Sequence, residues 1–342
     1  MKLSSLFKLR ETPSKQLIAL LDSVTLGTNG AKYRHLNTEV HIHKADNPLH
    51  LSIERNERLL GSVTFCRRNG EWYIRYFAFD NGLQGTGKRR SKGGDGLIKR
   101  ELNHFFDATL ADETEFDKVD IHYAYIDPKN SKSLWMSENF GFTPVANIAT
   151  QTFSRVYLPK STRVQKESNW EELAPIYREA YGGFKFYFEE QLKSGPFYVI
   201  RGNDNKVLAA VKINKTTWVI ERMPGKMGGF LTKAIPYVPV LRKLINPKKH
   251  TFLVPEAVYF KDNDSKLLTE LFEGVLALEK EHLIFWWTDE RNPYYKSVKD
   301  EVKWGLLHKI ISVNQASLVV KQPEGVEYDN SRPAYTSGFD FI

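Results

Sequence analysis

Cysteine is nearly absent: Cys66 is the single one in 342 residues. One thiol makes no internal disulfide and no cysteine-based metal cage, so a disulfide-stapled scaffold is excluded and a reducing compartment fits. Long hydrophobic runs are also missing. None approaches the ~18–20 residues of a membrane helix, which excludes a helical bilayer span. Near the start, Lys8 and Arg10 interrupt the few apolar residues well short of a secretory core. The expected location is therefore the cytoplasm, with no membrane partner. The lysine-serine ending of a P-loop is missing too, which argues against ATP chemistry of that type.

What is present describes a folded chain. Hydrophobic residues make up 41%, aromatics 13% and charged groups 26%, a balance that rules out disorder and fibrous repeats. At roughly 150 residues per domain the length predicts two. The net charge of +8 favours anionic partners. Its most concentrated source is Lys88, Arg89, Arg90 and Lys92, with Lys99 and Arg100 just beyond. The run 246–250 (Asn-Pro-Lys-Lys-His) is expected to be a solvated loop.

A helix is expected first, with Thr12 or Ser14 as cap, Pro13 in the first turn, and Leu17, Leu20, Leu21 and Val24 on its buried stripe. From about residue 40 the texture becomes strand-like. Residues 49–54, 59–67 and 72–80 are rich in Val, Ile, Phe and Tyr, with Asn56-Glu57 and Asn69-Gly70 as turns, so an antiparallel meander is predicted. His41 and His43 would share one strand face, without an acidic or cysteine partner to complete a metal site. A loop at 82–96 holds six glycines in fifteen residues. It leads to a helix carrying Leu97, Ile98, Leu102, Phe105 and Phe106, then a strand at 119–126, a short helix at 131–139 and a strand at 152–158. The polar stretch 159–169 is the expected boundary. A capping box Ser168–Glu171 then opens a helix to about Ala180. Strands follow at 197–201, 207–213, 218–222, 256–260 and 283–288, with an amphipathic helix at 265–281. The order of elements in the first half thus returns in the second.

A basic, glycine-rich loop between a strand and a helix is built to hold phosphate, because its backbone N–H groups and the helix terminus both face the anion. A dinucleotide fold is disfavoured, since this loop follows a meander rather than opening a parallel unit. A flexible basic surface loop is the other reading. A second stretch narrows the choice: Asp127-Pro-Lys-Asn130, a short helix, then Asn139-Phe-Gly141-Phe142. Together these resemble the GNAT superfamily of acyl-coenzyme A-dependent N-acetyltransferases, over roughly residues 40–158. In that resemblance Arg90-x-x-Gly93-x-Asp95 stands for the cofactor loop, Ser91-x-x-Gly94-x-Gly96 being the other register. Asn130, Ser133, Met136-Ser137 and Gly141-Phe142 match the family's second signature.

The resemblance implies an α/β (α+β) fold of two tandem GNAT-like domains, each a mixed, mostly antiparallel sheet flanked by helices. An acyl-CoA-binding domain would span 1–160 and a degenerate, acceptor-shaping or structural one 165–342. In the second, Lys261-Asp-Asn-Asp264 replaces the phosphate loop and Asp289-Glu-Arg-Asn292 echoes Asn130. The implied reaction is acetyl or short acyl transfer from acyl-CoA, without metal, to an amine on a small molecule or peptide. Phe79, Lys88, Arg89, Arg90, Lys92, Gly93, Gly94, Gly96 and Asn130 would bind the cofactor. His122 and Asp80 are the candidate bases. Ser137 stands where the family often has the tyrosine that protonates the leaving thiolate, and Tyr76, Tyr123 and Tyr125 are other candidate acids. That departure also suits a second reading, an impaired CoA-binding or protein-interaction scaffold. A third, nucleic-acid binding through 88–92, is disfavoured because no aromatics interleave the basic residues. A monomer or homodimer is expected.

Overall fold

The computed structural model describes residues 3–27, 31–79, 96–223 and 225–341. They fall into two compact units. One comprises Met1–Leu26, Asn37–Val145 and Ser317–Tyr328; the other comprises Gly27–Leu36, Ala146–Ala316 and Asp329–Ile342. Each unit thus includes a segment from the far end of the chain. The polar stretch 159–169 lies inside the second unit rather than at its edge.

The chain enters the first unit with β1 (Phe7–Arg10) and α1 (Lys15–Ser23), and sends β2 (Lys32–His35) to the second. It returns with α2 (Thr38–His43), β3 (Pro48–Arg55), β4 (Arg58–Arg68), β5 (Glu71–Phe79), α3 (Leu97–Leu110), β6 (Ile121–Ile126) and α4 (Ser131–Asn139). β7 (Thr143–Ser154) then leads out of the unit. The sheet order is β1-β3-β4-β5-β6, and the late strand β13 (Asn314–Lys321) comes back to pair with β6. Among the described residues these pairings are antiparallel except β5 with β6. Helix α1 starts where Ser14 Oγ accepts the Leu17 amide, as its sequence predicts.

One sheet face packs Phe65, Trp72 and Val119 against Leu102, Phe105 and Phe106 of α3. The other packs Leu59 and Ala78 against Leu17, Leu21 and Ile42. Each such side chain removed from water contributes roughly 1.5–3 kcal/mol, which is what fixes α3 across the strands.

In the second unit β8 (Gln165–Glu167), α5 (Trp170–Tyr181), β9 (Phe197–Arg201) and β10 (Val207–Arg222) come first. Next are α6 (Gly228–Ala234), α7 (Pro239–Leu244), β11 (His250–Phe260), α8 (Ser265–Glu279), β12 (Leu283–Asp289), α9 (Pro293–Val298) and α10 (Leu306–Ile311). The sheet order is β7-β12-β11-β10-β9-β8, with β2 on the far half of β10. Among these strand ladders of the described residues one, β11 with β12, is again parallel. Helix α8 covers one face through Leu268, Leu271, Phe272, Val275 and Leu276. Helix α5 covers the other through Leu173, Tyr177 and Tyr181.

The architecture is the mixed α/β pattern expected. Five local expectations need correction. The strand expected at 256–260 begins six residues earlier, at His250. His41 and His43 lie on helix α2, not on a strand. The segments 207–213 and 218–222 are one strand, because Lys212–Trp218 pair with β11 despite their polar side chains. The strand expected at 152–158 begins nine residues earlier, at Thr143, and ends at Ser154. The Ser168–Glu171 box does not form. Instead Glu167 Oε1 accepts the amides of Ser168 and Asn169 at 2.7 and 2.8 Å, and Asn169 becomes the cap position of α5.

Candidate functional site

The site expected in the first unit depends on what β5 and β6 do beyond their common start. Their parallel ladder comprises Glu71↔Ile121, Trp72↔His122 and Tyr73↔Tyr123. β5 nevertheless runs on to Phe79, paired with β4, and β6 to Ile126, paired with β13. Two adjacent parallel strands that stop bonding while both continue have parted. The cause lies in β5. Thr64 faces Tyr76 and Phe65 faces Ile74, so Arg75 is an extra residue on β5. Such a bulge bends its strand and reverses the side-chain alternation. Ile74, Phe77 and Phe79 consequently all turn to the α3 face.

The side chains on the α3 side of the parted stretches are apolar and half-buried: Phe77 and Phe79 on β5 and Ala124 and Ile126 on β6, with Met136 of α4 packed against the same core. Phe77 stacks edge-on against Phe79 at 5.1 Å and against Phe140 at 5.9 Å. Phe79 also explains a glycine: its ring lies over Gly61, where an added Cβ would come within 2.4 Å. A slot of this kind suits a thin, largely apolar chain with polar groups at its ends. Strand N–H groups released from a ladder are available to an acceptor atom lying between the strands.

His122 apart, the predicted site residues divide into three groups. Asp80, Lys88, Arg89, Arg90, Lys92, Gly93 and Gly94 lie outside the described residues. Phe79 and Gly96 end and begin the elements on either side of them, Gly96 at the cap position of α3 with open space where a Cβ would be. Asn130 stands at the start of α4, where its Oδ1 accepts the Ser133 amide at 3.2 Å. Ser137 sits about two turns further on, and its hydroxyl donates to the Leu134 carbonyl of its own helix at 2.8 Å.

His122 is placed differently from a base that meets substrate. It has no exposed surface and packs among Phe65, Trp72 and Phe106. Its Nε2 is 2.8 Å from Thr109 Oγ1 on α3. Burial, helped by Lys321, pushes its pKa down to about 3. This is a core histidine that joins sheet to helix. Tyr123 is likewise in the core and accepts Arg68 Nη1 at 2.7 Å on its hydroxyl.

The second unit repeats the device and fills it. The β11–β12 ladder is reduced to Leu253↔Ile284. The register slips on β11 between Glu256 and Tyr259, with Ala257 at φ +52°. Where these strands part, the walls are Pro255, Glu256 and Val258 on one side and Trp286 and Thr288 on the other. The segment 334–336 lies there too. The Ala334 amide donates to Asp289 Oδ2 and Thr336 Oγ1 to the Trp287 carbonyl, each at 2.7 Å. Tyr335 reaches Glu256 Oε1 at 3.3 Å. About 10 Å³ remains, room for a single water. Where the first unit has residues 80–96, the second has the turn Lys261–Asn263 with Asp264 capping α8. A turn that short and acidic offers a phosphate nothing.

Sequence reasoning missed the two bulges that open the sheets. A bulge leaves no compositional mark: Arg75 reads as one more residue of an aromatic strand.

No family model matches the chain, and neither does any curated protein. Solved structures do match. N-myristoyltransferase of Saccharomyces cerevisiae with bound myristoyl-CoA aligns at a TM-score of 0.57 and 12% identity, over 100% of this chain and 86% of that one. A tandem GNAT protein from the clavulanic acid biosynthesis pathway aligns at 0.53 and 8%, over 94% and 100%. A GCN5-related N-acetyltransferase from Sphaerobacter thermophilus aligns at 0.50 and 12%, over 96% and 99%. Likeness at such identities is likeness of fold, and the fold is that of the GNAT superfamily, carried in tandem along one chain.

Proposed function

We propose that the chain is an N-acyltransferase that moves an acyl group from acyl-CoA to an amine by direct attack in a ternary complex. The observation that carries this reading is the parting of β5 and β6 after Tyr73 and Tyr123, next to a basic, glycine-rich sequence that opens a helix. In this proposal the first unit binds the cofactor. Lys88, Arg89, Arg90, Lys92 and the amides of Gly93, Gly94 and Gly96 receive the diphosphate, with Asn130 beside the pantetheine arm. Phe79 and Phe77 flank the thioester end. A β5 amide beyond Tyr73 polarises the thioester oxygen, which develops negative charge as the amine adds. Holding both reactants in one slot removes most of the entropic barrier. The amine's proton goes to Asp80, the residue after β5, since His122 is enclosed. As the C–N bond forms the C–S bond breaks, and coenzyme A leaves as a thiolate that takes its proton from solvent. The second unit, with its own opening filled, takes no part in holding the cofactor. A cytoplasmic location, where acyl-CoA is made and used, fits the single buried thiol of Cys66.

The Ser137 hydroxyl, committed to its own helix, favours one competing reading, a CoA-binding protein without turnover. One assay separates them. The protein is mixed with acetyl-CoA or myristoyl-CoA and a panel of polyamines, amino acids and peptide amines, and free thiol is followed. Amine-dependent thiol release supports the transferase. Binding of acyl-CoA with no release on any amine supports the scaffold. Absence of binding rejects both.

A further inference from the structure

The stretch between β10 and β11 has no role in this scheme, and its composition is unlike the rest of the chain. Residues 222–249 contain seven Lys and Arg and no Asp or Glu. All seven cations, Arg222, Lys226, Lys233, Arg242, Lys243, Lys248 and Lys249, are exposed. Large apolar side chains stand out among them: Met227 and Phe230 are each 64% exposed and Tyr237 86%, with Leu231, Val238 and Val240 also on the surface. The segment is nonetheless anchored, since Ile235, Leu244 and Ile245 are buried and Thr232 Oγ1 joins the Met223 amide to the Gly228 carbonyl. Short helices α6 and α7 therefore display apolar tips within a segment that carries cations and no acidic side chain.

We propose that this face docks the second unit onto an anionic lipid bilayer. The combination of cations with protruding Phe, Leu, Met and Tyr matches an interface that is negative at the headgroups and apolar just beneath. Charge decides against a second copy of the chain, which would bring seven cations against seven. Nucleic acid would stack bases on Phe230 and Tyr237 alone, whereas four of the six protruding side chains, Met227, Leu231, Val238 and Val240, have no π-face and match an apolar layer beneath anionic headgroups instead. A patch of this kind on the surface of a folded chain marks a site of interaction. Spanning and docking are separate questions. No helix among the described residues is long and apolar enough to cross a membrane, and this face needs none.

The test uses the whole chain and sedimentation with vesicles, either phosphatidylcholine alone or phosphatidylcholine mixed with phosphatidylglycerol. Binding is expected on the anionic vesicles alone, falling as salt rises. Arg242→Ser/Lys243→Ser is expected to weaken it at least about ten-fold, at roughly five-fold per cation lost. Phe230→Ser/Leu231→Ser is expected to weaken it at least about ten-fold as well. A footprint on the wild-type chain needs no variant. Anionic vesicles should protect Lys226, Lys233, Lys243, Lys248 and Lys249 from acetylation, and leave Lys206 reactive at the opposite end of β10. The proposal is overturned if no anionic vesicle is bound at low salt, if the apolar pair makes no difference, or if binding is lost instead with Lys88→Ser/Arg89→Ser. Tighter binding to single-stranded RNA than to vesicles overturns it as well.

Discussion

His122 Nε2 and Thr109 Oγ1 are 2.8 Å apart, and their hydrogen-bond roles follow from the rest of the network. The threonine has one hydroxyl hydrogen, which goes to the Phe106 carbonyl at 2.9 Å or that of Phe105 at 3.1 Å. Its oxygen must then accept from the histidine, which fixes the Nε2–H tautomer. The bare Nδ1 is buried in apolar surroundings with no hydrogen-bond partner. A ring held this way is neutral at physiological pH and keeps α3 in register on β6.

His122→Gln, which keeps a donor near Thr109, should therefore leave acyl transfer within about two-fold. His122→Ala, which removes that donor and opens a cavity, should cost on the order of 3 kcal/mol of stability. Steady-state rates and thermal unfolding check this. A hundred-fold rate loss in a folded His122→Gln protein would restore the histidine as the base.

Acid should destabilise the fold through four histidines. Burial is the main cause that lowers the pKa of His41, His50 and His250 to about 4 and of His122 to about 3, from 6.5. The folded protein keeps these rings neutral while the unfolded chain protonates them below about 6.5. Stability is thus fully present above pH 6.5 and is lost as pH falls toward 4, by up to ~1.4 kcal/mol per pH unit for each ring. Denaturation midpoints from pH 7.5 to 4.5 check the slope, and a flat profile contradicts it.

In the second unit Lys212 and Glu256 form a pair 3.6 Å apart, 5% and 0% exposed. Lys212 also donates to the Gln191 carbonyl, and Asn214 donates to Glu256 at 3.0 Å. Removing one member strands a buried charge, so Lys212→Met should cost about 3–5 kcal/mol. Lys212→Met/Glu256→Gln should recover much of that loss. A cycle in which the two single costs simply add contradicts the coupling.

Much of this architecture is legible in the residues. Ser14 as a cap, the Asn69-Gly70 turn, the α3 stripe of Leu102, Phe105 and Phe106, and the run 131–139 all form as their local chemistry dictates. The misreadings have a common cause in contacts distant along the chain. Lys32–His35 and Asn314–Lys321 are short or polar, and become strands through the edges they meet on β10 and β6. His41 and His43 alternate as a strand would, yet Ile42 is buried between α1 and the sheet on a helical turn. In the candidate site the position of Asn130 was readable from its spacing. The enclosure of His122 was not, because a mid-strand histidine looks the same in sequence on either sheet face.

Asn130 and Asn292 perform matching jobs at the ends of the two parting strands. Asn130 Oδ1 accepts the Ser133 amide and Asn292 Oδ1 the Tyr294 amide, at 3.2 and 3.0 Å. Loss of either cap should cost about 1 kcal/mol. Asn130→Ala should in addition raise the KM for acyl-CoA several-fold, whereas Asn292→Ala should leave it unchanged. Equal KM values for both variants would reduce Asn130 to a cap.

The central claim is that acyl-CoA enters between β5 and β6 with its diphosphate on the basic segment that follows. Calorimetric titration with acetyl-CoA and myristoyl-CoA tests it most directly, on the wild-type chain, on Arg90→Glu, and on Ala124→Trp, which puts a large ring into the opening. The account predicts saturable binding of at least one acyl-CoA by the wild type, weakened about ten-fold or more in each folded variant. Wild-type protein that takes up neither ligand, or binding that survives both substitutions unchanged, would contradict it.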